Sequence, residues 1–284
     1  MSTNIFLGYP PENIKNWIIE NYKPAEPDML ATPLHFTANE DNSSVSLICF
    51  DYLAYEITYD SYCKFEYSMS GKDDDWETYK TGSIIPLNKG ETVYFRCPYE
   101  KDDPLNQNKN GLCQYEDYGE GYYSINKHYF FKMEGSIKAD GNIQFLLDKT
   151  GTMAEAPVYC YYRLFGDATG ENGNTALTQA PKLPATTLAY YCYSFMFVRC
   201  TTLTHAPELL ATTLTENCYD SMFYNCSSLN NVNVNFSAWN PSNATSDWLY
   251  GVASAGTFTC PTELPDTPRD RSHIPAGWTR ADKQ

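Results

Sequence analysis

Apolar and polar positions alternate through the middle of the chain. Over 63–70, Cys63, Phe65, Tyr67 and Met69 fall on one side and Lys64, Glu66, Ser68 and Ser70 on the other. That is the period of a half-buried strand. The polar run 71–75 makes a turn, after which Trp76-Glu-Thr-Tyr79 pairs back; 91–97 alternates again, and 128–133 has the pattern of another strand. Several short strands with Asn, Gly and Asp turns between them predict an Ig-like β-sandwich over 34–150. Residues 98–121, rich in Asp, Asn, Glu and Gly, are expected to form a long exposed loop.

Ahead of this region the pattern changes. Ile5, Phe6, Leu7 and Tyr9 make an apolar extended start that ends at Pro10-Pro11. A short helix follows, with Pro11 at its first position. Ile14, Trp17 and Ile18 recur at i, i+3 and i+4, and Ile19 and Tyr22 widen the stripe. Residues 23–28 (Lys-Pro-Ala-Glu-Pro-Asp) form a stiff linker. A helix of about a dozen residues is marginal alone in water, so its apolar face must dock. It docks either on the chain's own second domain or on a separate partner, and the proline tether favours the partner.

Beyond residue 150 the period lengthens. Leu177-Thr-Gln-Ala-Pro181 returns 26 residues later as Leu203-Thr-His-Ala-Pro207, and Ala185-Thr-Thr-Leu188 returns as Ala211-Thr-Thr-Leu214. Cys192-Tyr-Ser-Phe-Met-Phe197 returns as Cys218-Tyr-Asp-Ser-Met-Phe223, and Leu229 opens a third, decaying unit. A fixed period in the twenties predicts a solenoid. Each unit is expected to hold a strand near Leu-Thr-x-Ala-Pro, an extended return and a short helix around Cys-Tyr-x-x-Met-Phe. The first unit starts near Cys160, with a six-residue insertion in the loop 166–176. The tryptophan-rich tail is expected to cap the terminal rung, because so few units do not stand alone.

These units resemble BspA-type leucine-rich repeats, found on surface proteins of gut anaerobes of the Bacteroides group and in their phages. The shared core is Met-Phe-x-x-Cys-x-x-Leu, present at 196–203 and 222–229. The tail from Asp247-Trp-Leu-Tyr-Gly251 to Ile274-Pro-Ala-Gly-Trp278 resembles the cap that accompanies such repeats, and 65–95 resembles the small sandwich placed before them. The leader from Asn4 to Ile19 is similar to N-terminal segments of phage structural proteins with interchangeable distal domains. The resemblance implies a non-enzymatic virion surface protein, a fibre, tail or capsid-decoration subunit. It would attach to virion structural proteins through Ile5, Phe6, Leu7, Tyr9, Pro10, Pro11, Ile14, Trp17 and Ile18, and display an adhesive domain for a host-surface or mucosal glycan or protein. By the same analogy it would be a homotrimer. The alternative is a bacterial BspA-like cell-surface adhesin. The expected fold class is thus mixed β/α, divided into an anchor and linker (1–33), an Ig-like β-sandwich (34–150), a leucine-rich-repeat solenoid (151–236) and a C-terminal cap (237–284).

Charge and composition narrow the partners. A net charge of −15 argues against nucleic acid, whose phosphates need a Lys/Arg face, and against an anionic membrane surface. No stretch approaches the ~20 apolar residues of a membrane span. The N-terminus carries no signal-peptide pattern, so the ten cysteines are expected to be reduced. Stacked repeat cysteines would nonetheless lie close enough for a bridge. Four histidines fall in four contexts, and no catalytic or phosphate-binding motif is present. No cofactor or metal is expected; 73–75 and 167–174 lack the spaced ligand order of a calcium loop. The ligand candidates are Tyr115, Tyr118, Tyr122 and Tyr123 in the acidic loop, since aromatic faces stack on sugars. The other possibility is that these rings pack on the sandwich rim.

Overall fold

The computed structural model describes residues 30–59, 62–119, 123–166 and 173–283. The expected anchor, including Ile5, Phe6, Leu7, Tyr9, Pro10, Pro11, Ile14, Trp17 and Ile18, lies outside them. The strands of the N-terminal half are β1 (Leu34–Ala38), β2 (Ser43–Asp51), β3 (Glu56–Thr58), β4 (Phe65–Ser68), β5 (Glu77–Tyr79), β6 (Ile85–Leu87), β7 (Thr92–Arg96), β8 (Cys113–Asp117), β9 (Tyr123–Glu134) and β10 (Ile137–Asp140). Short strands follow at β11 (Glu155–Ala156), β12 (Leu177–Gln179), β13 (Thr187–Leu188), β14 (Asn231–Asn233), β15 (Thr257–Cys260) and β16 (Thr279–Asp282).

One sheet runs β12-β10-β1-β7-β4-β5 and the other β3-β2-β9-β8, with β6 paired to β2. Their inner faces meet through the alternating residues of the sequence. Phe36 of β1 packs 4.6 Å from Phe131 of β9, centroid to centroid, and 5.9 Å from Phe95 of β7. Tyr79 ties the layers together, its hydroxyl accepting the Leu47 amide at 2.9 Å.

The mixed β/α class is overturned. Among the described residues there is no α-helix; helical geometry is limited to two 3-10 turns, Asn108–Asn110 and Ile143–Leu146. Nor do the repeats form the expected solenoid of strand and helix. Only the first Leu-Thr-x-Ala-Pro becomes a strand, β12, and it pairs in parallel with β10 of the sheet rather than with the next unit. The second makes one isolated bridge, His205 to Asn231, followed by another just beyond it, Leu209 to Val234.

The segments expected to be helical are stacks of turns instead. In 190–200 every second amide closes a tight turn: Ser194 donates to Tyr191 O at 3.1 Å, Met196 to Tyr193 O at 3.2 Å and Val198 to Phe195 O at 3.0 Å. The intervening amides cross to the next unit, Tyr193 to Cys218 O at 3.0 Å, Phe195 to Asp220 O at 2.9 Å and Phe197 to Met222 O at 2.9 Å. The unit below repeats this, with Tyr219 donating to Ala244 O and Phe223 to Trp248 O. Backbone polarity is thereby satisfied much as in a parallel sheet. The backbone turns through the left-handed region at every fourth residue: Tyr191, Phe195 and Arg199, then Asn217, Ser221 and Asn225, with φ between 52° and 59°. Such residues interrupt the i→i−4 ladder a helix requires.

Inside the stack, like side chains lie on like. Phe131, Phe165, Phe197 and Phe223 form one ladder with centroids 5.2–5.7 Å apart, and Tyr161, Tyr193, Tyr219 and Trp248 a second. Leu177, Leu203 and Leu229 are fully buried in the same core. The first rung also extends the second sheet, since Phe131 of β9 donates to Leu164 O at 2.7 Å. One continuous core therefore passes from the sheets into the turns across residue 150. At the far end β14, β15 and β16 stack in parallel, and the buried indoles of Trp248 and Trp278 donate to His273 O and Ala253 O.

Candidate functional site

The stretch 98–121 is not the free loop expected from its composition. Asn106 and Asn108 are fully buried. The Asn108 amide donates to Lys64 O at 2.8 Å and Leu146 O at 2.9 Å, and Asn106 donates to Leu147 O at 2.9 Å. Two asparagines thus replace the apolar anchors a composition argument looks for, and residues 113–117 become β8, paired to β9.

This pairing separates the four candidate tyrosines. Tyr115 is half-buried, its ring 5.7 Å from Tyr159. Tyr118 is 67 % exposed, and its hydroxyl donates to Glu116 Oε2 at 2.5 Å, which pushes the phenol up. Tyr123 opens β9 opposite Asp117, and Tyr122 lies outside the described residues. Asp75 locks its turn, accepting from the Ser68 hydroxyl and the Ser70 amide. Most of 167–174 lies outside the described residues. Among the described residues no cluster of three or more metal-ligating side chains occurs, and no helix is long and apolar enough to cross a membrane.

A groove of about 490 Å³ opens where the second sheet meets the first two rungs of turns. Tyr52 enters it from the end of β2, Ser124 and Ile125 from the start of β9, Tyr159 and Tyr162 from the first rung, and Tyr191, Ser194 and Phe195 from the second. Each ring has a rigid mount. Tyr159 and Tyr191 stack at 4.7 Å and 4° as equivalent positions of adjacent rungs. Phe195 meets Tyr162 edge-on at 5.9 Å, and the Arg163 guanidinium lies 4.7 Å over the Phe195 ring. Arg163 Nε also donates to the Tyr162 hydroxyl at 3.0 Å, fixing that phenol. No carboxylate among the described residues pairs with Arg163; the π-faces hold it instead.

Beneath the groove, His128 is fully buried, stacked 5.4 Å from Tyr52 and edge-on to Tyr162. Burial, with Arg163 beside it, pushes its pKa down to about 3, so the imidazole is neutral packing. Burial likewise raises the Tyr52 phenol, which shares a hydrogen bond with Tyr162 and stays protonated. At the groove's lower rim the Ser194 hydroxyl donates to Asp220 Oδ2 at 3.3 Å. Burial pushes Asp220 up to about 6 against the opposing bonds from Ser221 and Ser194, and the neighbouring Asp247 adds to the rise.

Of the sequence candidates among the described residues, Tyr115 approaches this constellation, through Tyr159. The missed residues had one signal: Tyr191 and Phe195 are among the positions where the second rung departs from the third, which carries Asn217 and Ser221. Compared with known proteins, the chain matches no family model, no curated protein and no solved structure.

Proposed function

We propose that the chain is a non-enzymatic recognition protein of a virion surface, a fibre, tail or capsid-decoration subunit whose β-body presents an adhesive face. The observation that supports recognition is the aromatic groove. Its rings are held by stacking and hydrogen bonds, so little entropy is lost when a ligand seats against them. The particle setting rests on the sequence: the resemblance of the repeats, and a leader whose apolar residues precede a proline tether. In this reading residues 1–22 engage virion structural proteins, three copies assemble together, and the groove faces a host-surface or mucosal ligand.

The test uses the full chain, fluorescently labelled, on mucin-coated surfaces and on intact gut anaerobes of the Bacteroides group. Retention on at least one is expected, and retention on neither overturns the reading. Deleting residues 1–22 is expected to abolish incorporation into particles while leaving adhesion intact. Normal incorporation of the deleted chain overturns the anchor.

A further inference from the structure

Resting on the recognition reading, we infer that the groove takes an uncharged glycan, seated against Phe195 and Tyr162. Five of its eight lining side chains are aromatic and six carry hydroxyls, four phenols and two serines; none is charged. A sugar ring presents that same pairing, an apolar C–H face and a hydroxyl edge. The aromatic faces suit the first and the hydroxyl rim the second. Ser194 is fully buried and its proton holds Asp220, so the accessible serine hydroxyl of the groove is that of Ser124.

Other ligand classes fit less well. A phosphate or sulfate needs cationic donors; none lines the groove of a chain of net charge −15, and Arg163 beside it is taken up by the Phe195 and Tyr162 rings and the Tyr162 hydroxyl. A peptide added as a strand needs free main-chain groups. Here the Tyr159 amide is bonded to Tyr190 O at 3.0 Å and the Phe195 amide to Asp220 O at 2.9 Å, so the walls offer side chains. The volume, about 490 Å³, falls within the range of small-ligand sites.

The experiment measures binding of the full chain to a panel of neutral oligosaccharides built from hexoses and N-acetylhexosamines, alongside their sialylated and sulfated counterparts. A neutral member is expected to bind. Phe195→Ala is expected to weaken that binding at least tenfold, and Tyr118→Ala to leave it unchanged. Phe195→Leu, which keeps most of the volume without the ring, decides the matter if the alanine variant fails to fold by near-ultraviolet circular dichroism. Binding confined to charged glycans overturns the inference, as does an equal loss in Tyr118→Ala. Adhesion to mucin or cells with no oligosaccharide bound removes the glycan assignment and leaves the recognition reading standing; loss of both removes both.

Discussion

Two buried phenols show how far a single atom decides stability. The Tyr161 hydroxyl donates to Gln144 Oε1, whereas the Tyr193 hydroxyl, one rung on, is buried without a partner. An unsatisfied buried hydroxyl costs about 1–3 kcal/mol. Tyr193→Phe is therefore expected to leave stability unchanged or raise it by about 1 kcal/mol, and Tyr161→Phe to lower it by a similar amount, measured by urea denaturation. Asp220 offers a second test, through pH. Its folded pKa of about 6 lies above its ordinary 3.8. The stabilisation it contributes is present below the ordinary value and is lost as pH rises through 6. Asp220→Asn should thus gain stability relative to the native chain between pH 4 and pH 7, on the order of 1–2 kcal/mol after allowance for partial exposure. A constant difference between the two chains across that range would show that the carboxylate is solvated.

At the scale of the element, the turn stack is what the sequence pattern concealed. Its buried positions, 192–194, then 196–198, then 200, recur at a spacing of four. A helix accommodates that spacing over so short a run, and so does a series of four-residue turns. The arbiter is the left-handed residue at every fourth position, and Tyr191, Phe195 and Arg199 give no sign of it, since aromatic and Arg residues rarely adopt that region. Asn217 and Asn225 in the next unit were the visible hint. The period of 26 was plain, because beyond the first rung each crossing amide bonds 25 residues ahead and sets Phe197 on Phe223. That stacking makes a prediction. Phe197→Ala should cost about 3–5 kcal/mol, since it empties a fully buried rung between Phe165 and Phe223. Phe195→Ala, half-buried and outside the ladder, should cost less than about 1.5 kcal/mol. Equal losses in denaturation would contradict the ladder.

For the whole molecule, the sheets and turns share one core, and rung one is bonded to the second sheet through the Phe131 amide and Leu164 O and to Leu112 through Cys160 O. Alternation was legible in β7 and through Cys63, Phe65 and Tyr67 into β4, but it breaks at the strand's end, where Ser68 is buried and Met69 exposed. The groove was not legible, because it joins Tyr52 to residues more than a hundred positions away and depends on β8 closing against β9. All ten cysteines are buried in this body as thiols outside any disulfide, and burial raises those whose protonation departs from the ordinary. Ellman's reagent should therefore find no reactive thiol in the native chain and ten after unfolding, and a reductant should leave the melting temperature unchanged. Fewer than ten would reveal a bridge.

The groove itself is best tested by filling it. Ser124 lines it from an exposed position on β9, away from the core. In the adhesion assay, Ser124→Trp is expected to reduce binding at least tenfold with an unchanged melting temperature. Undiminished adhesion by a folded Ser124→Trp chain would contradict recognition through this groove.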